Sequence, residues 1–233
     1  MTHRPSTPRT LACGLLAALA LFGVSGCAST SSTRADNSPV MAYRQLGEAY
    51  LQDDNLVRAA AALNRALALD PNDSRALQAM ALVYQRQGEN ELADEYFQHA
   101  LDEDPNFTRA RNNYAAFLYD QGQTESACHE LEQAAMDIHY DHRAQLFANL
   151  GRCQWELGRL VPARTALVRA QEIDPRQPLS YLTMAELEYA QGNFEHARTQ
   201  LNRYVHLVGV TPDSQHLATA INQAKAVEQG KNS

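Results

Sequence analysis

The chain has 233 residues, and its 27 Asp and Glu residues outnumber its 20 Lys and Arg residues, which gives a formal net charge of -7. A protein this acidic is a poor partner for nucleic acid and is not expected to lie flat on anionic lipid.

The N-terminus has the pattern of an export signal. Two arginines precede an apolar run over residues 11–24, and at about 14 residues this run is too short to remain as a membrane-spanning helix. The tetrapeptide VSGC that ends at Cys27 resembles the bacterial lipobox, in which the cysteine is acylated and becomes the mature N-terminus. We predict a signal peptide over residues 1–26 and a lipid on Cys27. An ordinary secretory signal with an incidental cysteine is the alternative.

Residues 27–39 are predicted to form a lipidated, disordered tether. They are rich in Ser, Thr and Asn and contain almost nothing apolar to bury, so they lack a driving force for folding. A flexible chain of about 12 residues has an r.m.s. span of roughly 20 Å. Ala28 follows the cysteine, in place of the Asp that resembles an inner-membrane retention signal. This favours the periplasmic face of the outer membrane.

Beyond the tether the sequence is repetitive. Pro71 and Pro105, each preceded by Asp, are 34 residues apart, and Pro175 follows 70 residues after Pro105. A 34-residue period with this proline is typical of the tetratricopeptide repeat, a helix-turn-helix unit. We predict an all-α fold over residues 40–233, a right-handed superhelix of antiparallel helix pairs. The predicted repeats are 40–73, 74–107, 108–143, 144–177 and 178–211, followed by a partial sixth repeat or capping helix over 212–229.

Individual repeat positions, counted from the first residue of each repeat, support this register. Position 15 is glycine in four repeats and Asp54 in the first, which predicts a left-handed residue at the end of each first helix. The third repeat departs from the pattern, because Arg111 and His139 occupy positions where an aromatic residue and a proline are expected. We expect its second helix to run on and absorb the two extra residues before Ala144.

Two cysteines remain in the mature chain besides the lipidated one. The second helix of one repeat packs antiparallel to the first helix of the next, so that facing positions sum to about 31. Cys128 is at position 21 of the third repeat and Cys153 at position 10 of the fourth. In an oxidising compartment this predicts a disulfide. Two buried free thiols are the alternative.

No catalytic or metal-binding motif is present. The histidines lack HExxH or Cys-His spacing, no Gly-x-Ser-x-Gly turn occurs, and the paired acids fall at helix ends. We therefore predict no enzymatic activity, no metal, no cofactor and no small-molecule substrate.

Several stretches resemble one family, the type IV pilus biogenesis and stability lipoproteins of the PilF/PilW type. They are ALVYQRQGE at 81–89, RARNNYAAFLY at 109–119, NLGRC at 149–153 and AELEY at 185–189. The resemblance implies a pilotin, which binds the secretin subunit of the pilus machine at the outer membrane and promotes its multimerisation. The fold alone equally suits an adaptor lipoprotein for cell-wall hydrolases or a protease, or a subunit of the outer-membrane protein assembly machinery.

A client-binding surface is predicted on the concave face. In such a stack the first helices line the groove, and positions 2, 5, 9, 12 and 13 point into it. Aromatic and arginine side chains in this row are the types that most often dominate binding energy. The predicted groove residues are Arg44, Glu48, Leu51, Leu82, Arg109, Asn112, Tyr119, Arg152, Trp155, Glu186 and Tyr189. Whether the rings merely cover neighbouring helices, and which half of the groove binds, stays open.

Overall fold

A computed structural model describes residues 38–231, and those residues form eleven α-helices and no strand. The helices are α1 (Pro39–Gln52), α2 (Leu56–Leu69), α3 (Ser74–Gln87), α4 (Asn90–Glu103), α5 (Thr108–Asp120), α6 (Thr124–Ala134), α7 (Arg143–Glu156), α8 (Leu160–Ile173), α9 (Pro178–Ala190), α10 (Phe194–Val208) and α11 (Pro212–Lys231). The all-α prediction is confirmed. The predicted signal peptide, Cys27 and the tether up to residue 37 lie outside the described residues.

The helices pack as consecutive pairs, so that each repeat contributes a first or A helix (α1, α3, α5, α7, α9) and a second or B helix (α2, α4, α6, α8, α10). Consecutive A helices contact one another, whereas within residues 38–231 consecutive B helices do not. The A helices therefore line the inner, concave side of the array, and the B helices lie on its outer side.

The turn after each A helix has the predicted left-handed residue. Glycines at position 15 have φ between 70° and 80°, and Asp54 has φ 56° at the same position of the first repeat. In this region a Cβ atom meets the following carbonyl oxygen, so glycine is favoured there.

Small residues allow the two helices of a repeat to approach closely. A Cβ added to Gly47 would lie 2.6 Å from Leu63 Cγ, and one added to Gly151 would lie 2.5 Å from Leu167 Cγ. Both leucines are fully buried. The core of the array is therefore built from alternating small and large side chains across each helix pair, as expected for close-packed interiors.

The prediction that the second helix of the third repeat runs on is wrong. Helix α6 is 11 residues long and ends at Ala134, and the extra residues lie in the loop 135–142. The loop begins with i to i-3 hydrogen bonds from Met136 N and Asp137 N. The Asp137 carboxylate then accepts from Thr108 Oγ1 at 2.6 Å and from His139 N at 2.8 Å. These bonds fix a turn where other repeats have proline, and they lower the Asp137 pKa.

Helix α11 covers the end of the array. Ile221 is 1% exposed and packs with Ala185, Ala197 and Leu201 from the fifth repeat. Terminal repeats of such arrays need a cover for the apolar face that no further repeat buries.

A disulfide joins the third and fourth repeats. The bond links Cys128 on α6 with Cys153 on α7, whose Cα atoms are 5.7 Å apart. Both cysteines are buried. The bond therefore fastens the shortest helix, α6, to the first helix of the next repeat.

Candidate functional site

The predicted groove residues all lie on A helices, and the structure joins some of them into two clusters. The first cluster connects α5, α7 and α9. The Arg152 guanidinium carbon lies 4.2 Å from the centroid of the Tyr119 ring, within the range of a cation-π contact. The Tyr119 hydroxyl donates a hydrogen bond to the carboxylate of Glu156, which lies one turn after Arg152 on α7. Burial and this hydrogen bond raise the pKa of Tyr119 to about 12, so its hydroxyl remains protonated at neutral pH.

Glu186 on α9 belongs to this cluster through its charge interactions with Arg152 and Glu156. Burial, followed by repulsion from Asp213 and Glu156, raises the pKa of Glu186, and the nearby Arg152 opposes the rise. Glu186 thus lies within electrostatic reach of two other carboxylates, Asp213 and Glu156, and of the Arg152 guanidinium. The Arg152 Nε atom is buried and has no hydrogen-bond partner among the residues that the structure describes.

The second cluster spans the N-terminal half of the concave face. The Arg109 guanidinium on α5 lies 3.7 Å from the Glu48 carboxylate on α1. The ion pair therefore bridges the first and third repeats across α3. Arg109 also lies 5.4 Å from the centroid of the Phe107 ring. Because Arg109 is 45% exposed and Glu48 30% exposed, the pair remains accessible from the groove, and such exposed pairs contribute little stability.

Other predicted groove residues serve the scaffold. Arg44 Nη1 donates to Asp73 Oδ2 at 2.6 Å, and Asp73 also caps α3. Leu82 is half-buried against the core. Asn112 Oδ1 is buried without a partner in the described part of the chain.

Leu51 corrects the prediction for the first repeat. Its side chain is 6% exposed and belongs to the core between α1, α2 and α3. It therefore cannot present an apolar wall to a client.

The three aromatic residues of position 12 do not form one continuous exposed row. Trp155 is partly buried against the cluster of Leu167, Met184 and Leu187. The Tyr189 ring centroid lies 5.8 Å from that of Phe194 on α10. Tyr119 is also partly buried against a hydrophobic cluster, but its ring and hydroxyl contact Arg152 and Glu156 as well. We therefore take it as the aromatic residue of this row to test for client contact.

Two participants were missed at the sequence level. Glu156 is at position 13, which was expected to face the groove, so its position alone was a sufficient signal. Asp213 lies in the first turn of α11, and only the folding of this helix over α9 brings its charge near Glu186. Nothing in the sequence indicates that approach.

The described residues contain no group of His, Cys, Asp and Glu side chains arranged to hold a metal ion. None of the helices between residues 38 and 231 combines the length and the apolar character that crossing a membrane requires.

The sequence of this chain matches a known repeat family and a known pilus protein. The tetratricopeptide-repeat pattern matches residues 40–73 and, in a second form, residues 62–95 and 96–129. The type IV pilus assembly protein PilF of Pseudomonas aeruginosa is 32% identical over 220 residues, which cover 90% of this chain and 85% of PilF.

Two solved structures have the same fold. The structure of Pseudomonas aeruginosa PilF superposes with a TM-score of 0.75 at 33% identity, and covers 83% of this chain and 86% of its own. PilW, a widely conserved type IV pilus biogenesis factor, superposes with a TM-score of 0.70 at 24% identity, and covers 83% of this chain and 94% of its own. At this lower identity the second likeness shows the fold alone.

Proposed function

The chain belongs to the PilF family of type IV pilus biogenesis proteins built from tetratricopeptide repeats, and from that premise we propose that it acts as a pilotin. In this role it binds the secretin subunit of the pilus machine, holds it at the outer membrane and promotes its assembly into a multimeric ring. The observation that carries the proposal is the likeness to PilF over nine-tenths of the chain. The scaffold supplies a concave surface for protein binding, as repeat arrays commonly do.

The decisive experiment is deletion of the gene, followed by a test for heat-stable secretin multimers and surface pili. The pilotin role predicts loss of both, with restoration by the wild-type gene. Normal secretin multimers in the outer membrane of the deletion strain would reject the pilotin role, while leaving a place elsewhere in pilus biogenesis.

The proposed address is the periplasmic face of the outer membrane, reached through a lipid on Cys27. Three acyl chains are usual for this class, and each buried methylene adds about 0.8 kcal/mol to membrane binding. The variant Cys27→Ser should lose palmitate labelling and outer-membrane fractionation, and secretin assembly should fall while the repeats remain folded. Unchanged labelling of this variant would show that Cys27 is not the lipidated residue.

The proposed client surface is centred on Tyr119 and Arg152. The Arg152 guanidinium lies over the Tyr119 ring, and the nearby carboxylates of Glu156 and Glu186 supply acceptors for an extended or helical peptide. Tyrosine and arginine frequently dominate interface energies. The second cluster, Arg109 with Glu48, extends the polar surface toward the N-terminal repeats.

Alanine substitutions separate binding from folding. Tyr119→Ala should reduce secretin affinity by about tenfold or more in an array that remains folded, because hot-spot truncations remove about 2 kcal/mol or more and about 1.4 kcal/mol is already tenfold. Trp155→Ala serves as the contrasting variant, because its ring packs against Met184 and Leu187 and its loss should lower stability. Loss of stability in Tyr119→Ala with intact affinity would move the binding site elsewhere.

A further inference from the structure

Among the described residues, an open apolar furrow lies on the outer side of the array. It lies between α6 and α8, with α7 as its floor, and has a volume of about 930 Å³. Phe147 and Leu150 form the floor, and Val161, Thr165 and Val168 form the α8 wall. Ligand pockets commonly have volumes of about 300–1,000 Å³, so the space suits several side chains of a partner.

The combination of two exposed valines is specific to α8, although the first repeat also has a valine, Val57, at position 18. At repeat position 18, Val161 stands where the second, third and fifth repeats have Glu91, Glu125 and Glu195. At position 25, Val168 stands where the remaining repeats have only Asn, Gln or Glu. Val161 is 77% exposed and Val168 42% exposed. These aliphatic side chains are not required by the repeat, and they face solvent.

Each charged residue around the furrow already has a polar partner, and the lining has two carboxylates and two guanidinium groups. Glu132 accepts a hydrogen bond from Gln154 Nε2. Arg169 Nη1 lies 3.2 Å from Glu172 Oε2. Arg164 donates to the Glu188 carboxylate and, at 2.7 Å, to Gln191 Oε1. At the N-terminal end of α8, Arg159 and Glu125 form a pair at 2.5 Å that joins α8 to α6. The rim is therefore electrically balanced, so a complementary occupant brings apolar side chains and no charge.

The furrow is too small to hold a second folded copy of the chain. Helix α8 has 14 residues, so it is about 21 Å long, and a strip of that length about 10 Å wide offers roughly 200 Å². A stable interface buries about 800 Å² on each partner. An occupant of matching size is two helical turns or about six extended residues.

We propose that this furrow docks a short apolar segment of a protein partner, one that presents two or three aliphatic or aromatic side chains on an uncharged face. The furrow lies on the B helices and is separate from the concave A-helix surface. The inference does not depend on the partner being the secretin.

Site-specific photocrosslinking in cells that make the full chain tests the proposal. Thr165, on the furrow wall, is replaced by the photoreactive amino acid p-benzoylphenylalanine, and Ala61, at the same position of α2, receives it as the matched control. The expected result is a crosslink from residue 165 to another protein, at a peptide that mass spectrometry identifies as apolar and uncharged, with no such product from residue 61.

The double variant Val161→Glu, Val168→Asn gives α8 the residue types that other B helices have at these positions, so it is expected to fold with an unchanged melting temperature. Loss of these aliphatic contacts should reduce the crosslink from residue 165 by about tenfold. Val57→Glu, at position 18 of α2 and 79% exposed in the wild type, controls for the added charge. Val168→Asn alone repeats the test if the double variant unfolds.

Three results overturn the proposal: a product no stronger than that of residue 61, a crosslink to a second copy of this chain, or a yield that the α8 substitutions leave unchanged. Identification of the captured protein as secretin or as another protein bears on the pilotin proposal and leaves the furrow assignment standing.

Discussion

Opening the disulfide between Cys128 and Cys153 should destabilise the junction of the third and fourth repeats. The bond closes a loop with a sequence separation of 25 residues, for which the chain-entropy model gives about 3.5 kcal/mol. For a chain of this size, each kcal/mol changes the melting temperature by about 2–4 °C. Reduction should therefore lower the melting temperature by roughly 7–14 °C if the array unfolds as one unit.

The assay is thermal unfolding followed by circular dichroism, with and without a reductant. Both sulfur atoms are buried, so the protein is reduced while unfolded and then refolded under reducing conditions. The double variant Cys128→Ala, Cys153→Ala is the control, because its melting temperature should not respond to the reductant. Hydrogen exchange should show the largest loss of protection in α6 and α7, since repeat arrays can open locally.

Alkylation tests the same bond chemically. In the denatured wild type, Cys128 and Cys153 should resist a thiol reagent until reductant is added. Full modification without reductant, or a melting temperature that is the same in both redox states, would refute the reasoning that this staple holds the junction together.

Three further perturbations follow from named contacts. Gly151→Ala should lower the free energy of unfolding by about 1 kcal/mol. Overpacking against Leu167 costs about 1–3 kcal/mol, and the higher helix propensity of alanine offsets about 1 kcal/mol of that cost. An unchanged melting temperature would show that Leu167 moves aside freely. Glu186→Gln should stabilise the fold at pH 7, because the raised pKa of the Glu186 carboxyl means that its ionisation disfavours the folded state. The stability gained by the variant should appear as pH rises above the usual glutamate pKa of about 4.3 and vanish below it. Equal melting temperatures of variant and wild type at pH 7 would contradict this sign. Asp73→Ala should lower stability by about 1–2 kcal/mol in urea unfolding, because it removes the α3 cap and leaves Arg44 unpaired. Asp53→Ala, whose side chain forms no hydrogen bond or ion pair among the described residues, is the control.

The candidate site was only partly predictable from repeat positions. Periodicity correctly assigned the groove residues to A helices, and it placed Tyr119 and Arg152 on neighbouring helices. It could not show that Tyr119 contacts Arg152 and Glu156 in addition to a hydrophobic cluster, whereas Trp155 packs against a hydrophobic cluster. Position in a repeat fixes the direction of a side chain from its own helix, whereas the neighbours that receive it belong to other repeats. For the same reason Leu51 was assigned to the groove although it is buried.

The period, the helix pairs and the turns can be read from the residues alone, because those features depend on local backbone requirements. The glycines at position 15 have the left-handed conformation that their residue type favours, and small residues at fixed spacing allow close helix contact. Three features emerge only in the folded array: the end of α6, the contact of Arg109 with Glu48 across a whole repeat, and the open furrow beside α8. Each of these depends on side-chain packing and charge pairing between elements far apart in the chain. No periodic pattern in the sequence indicates such contacts.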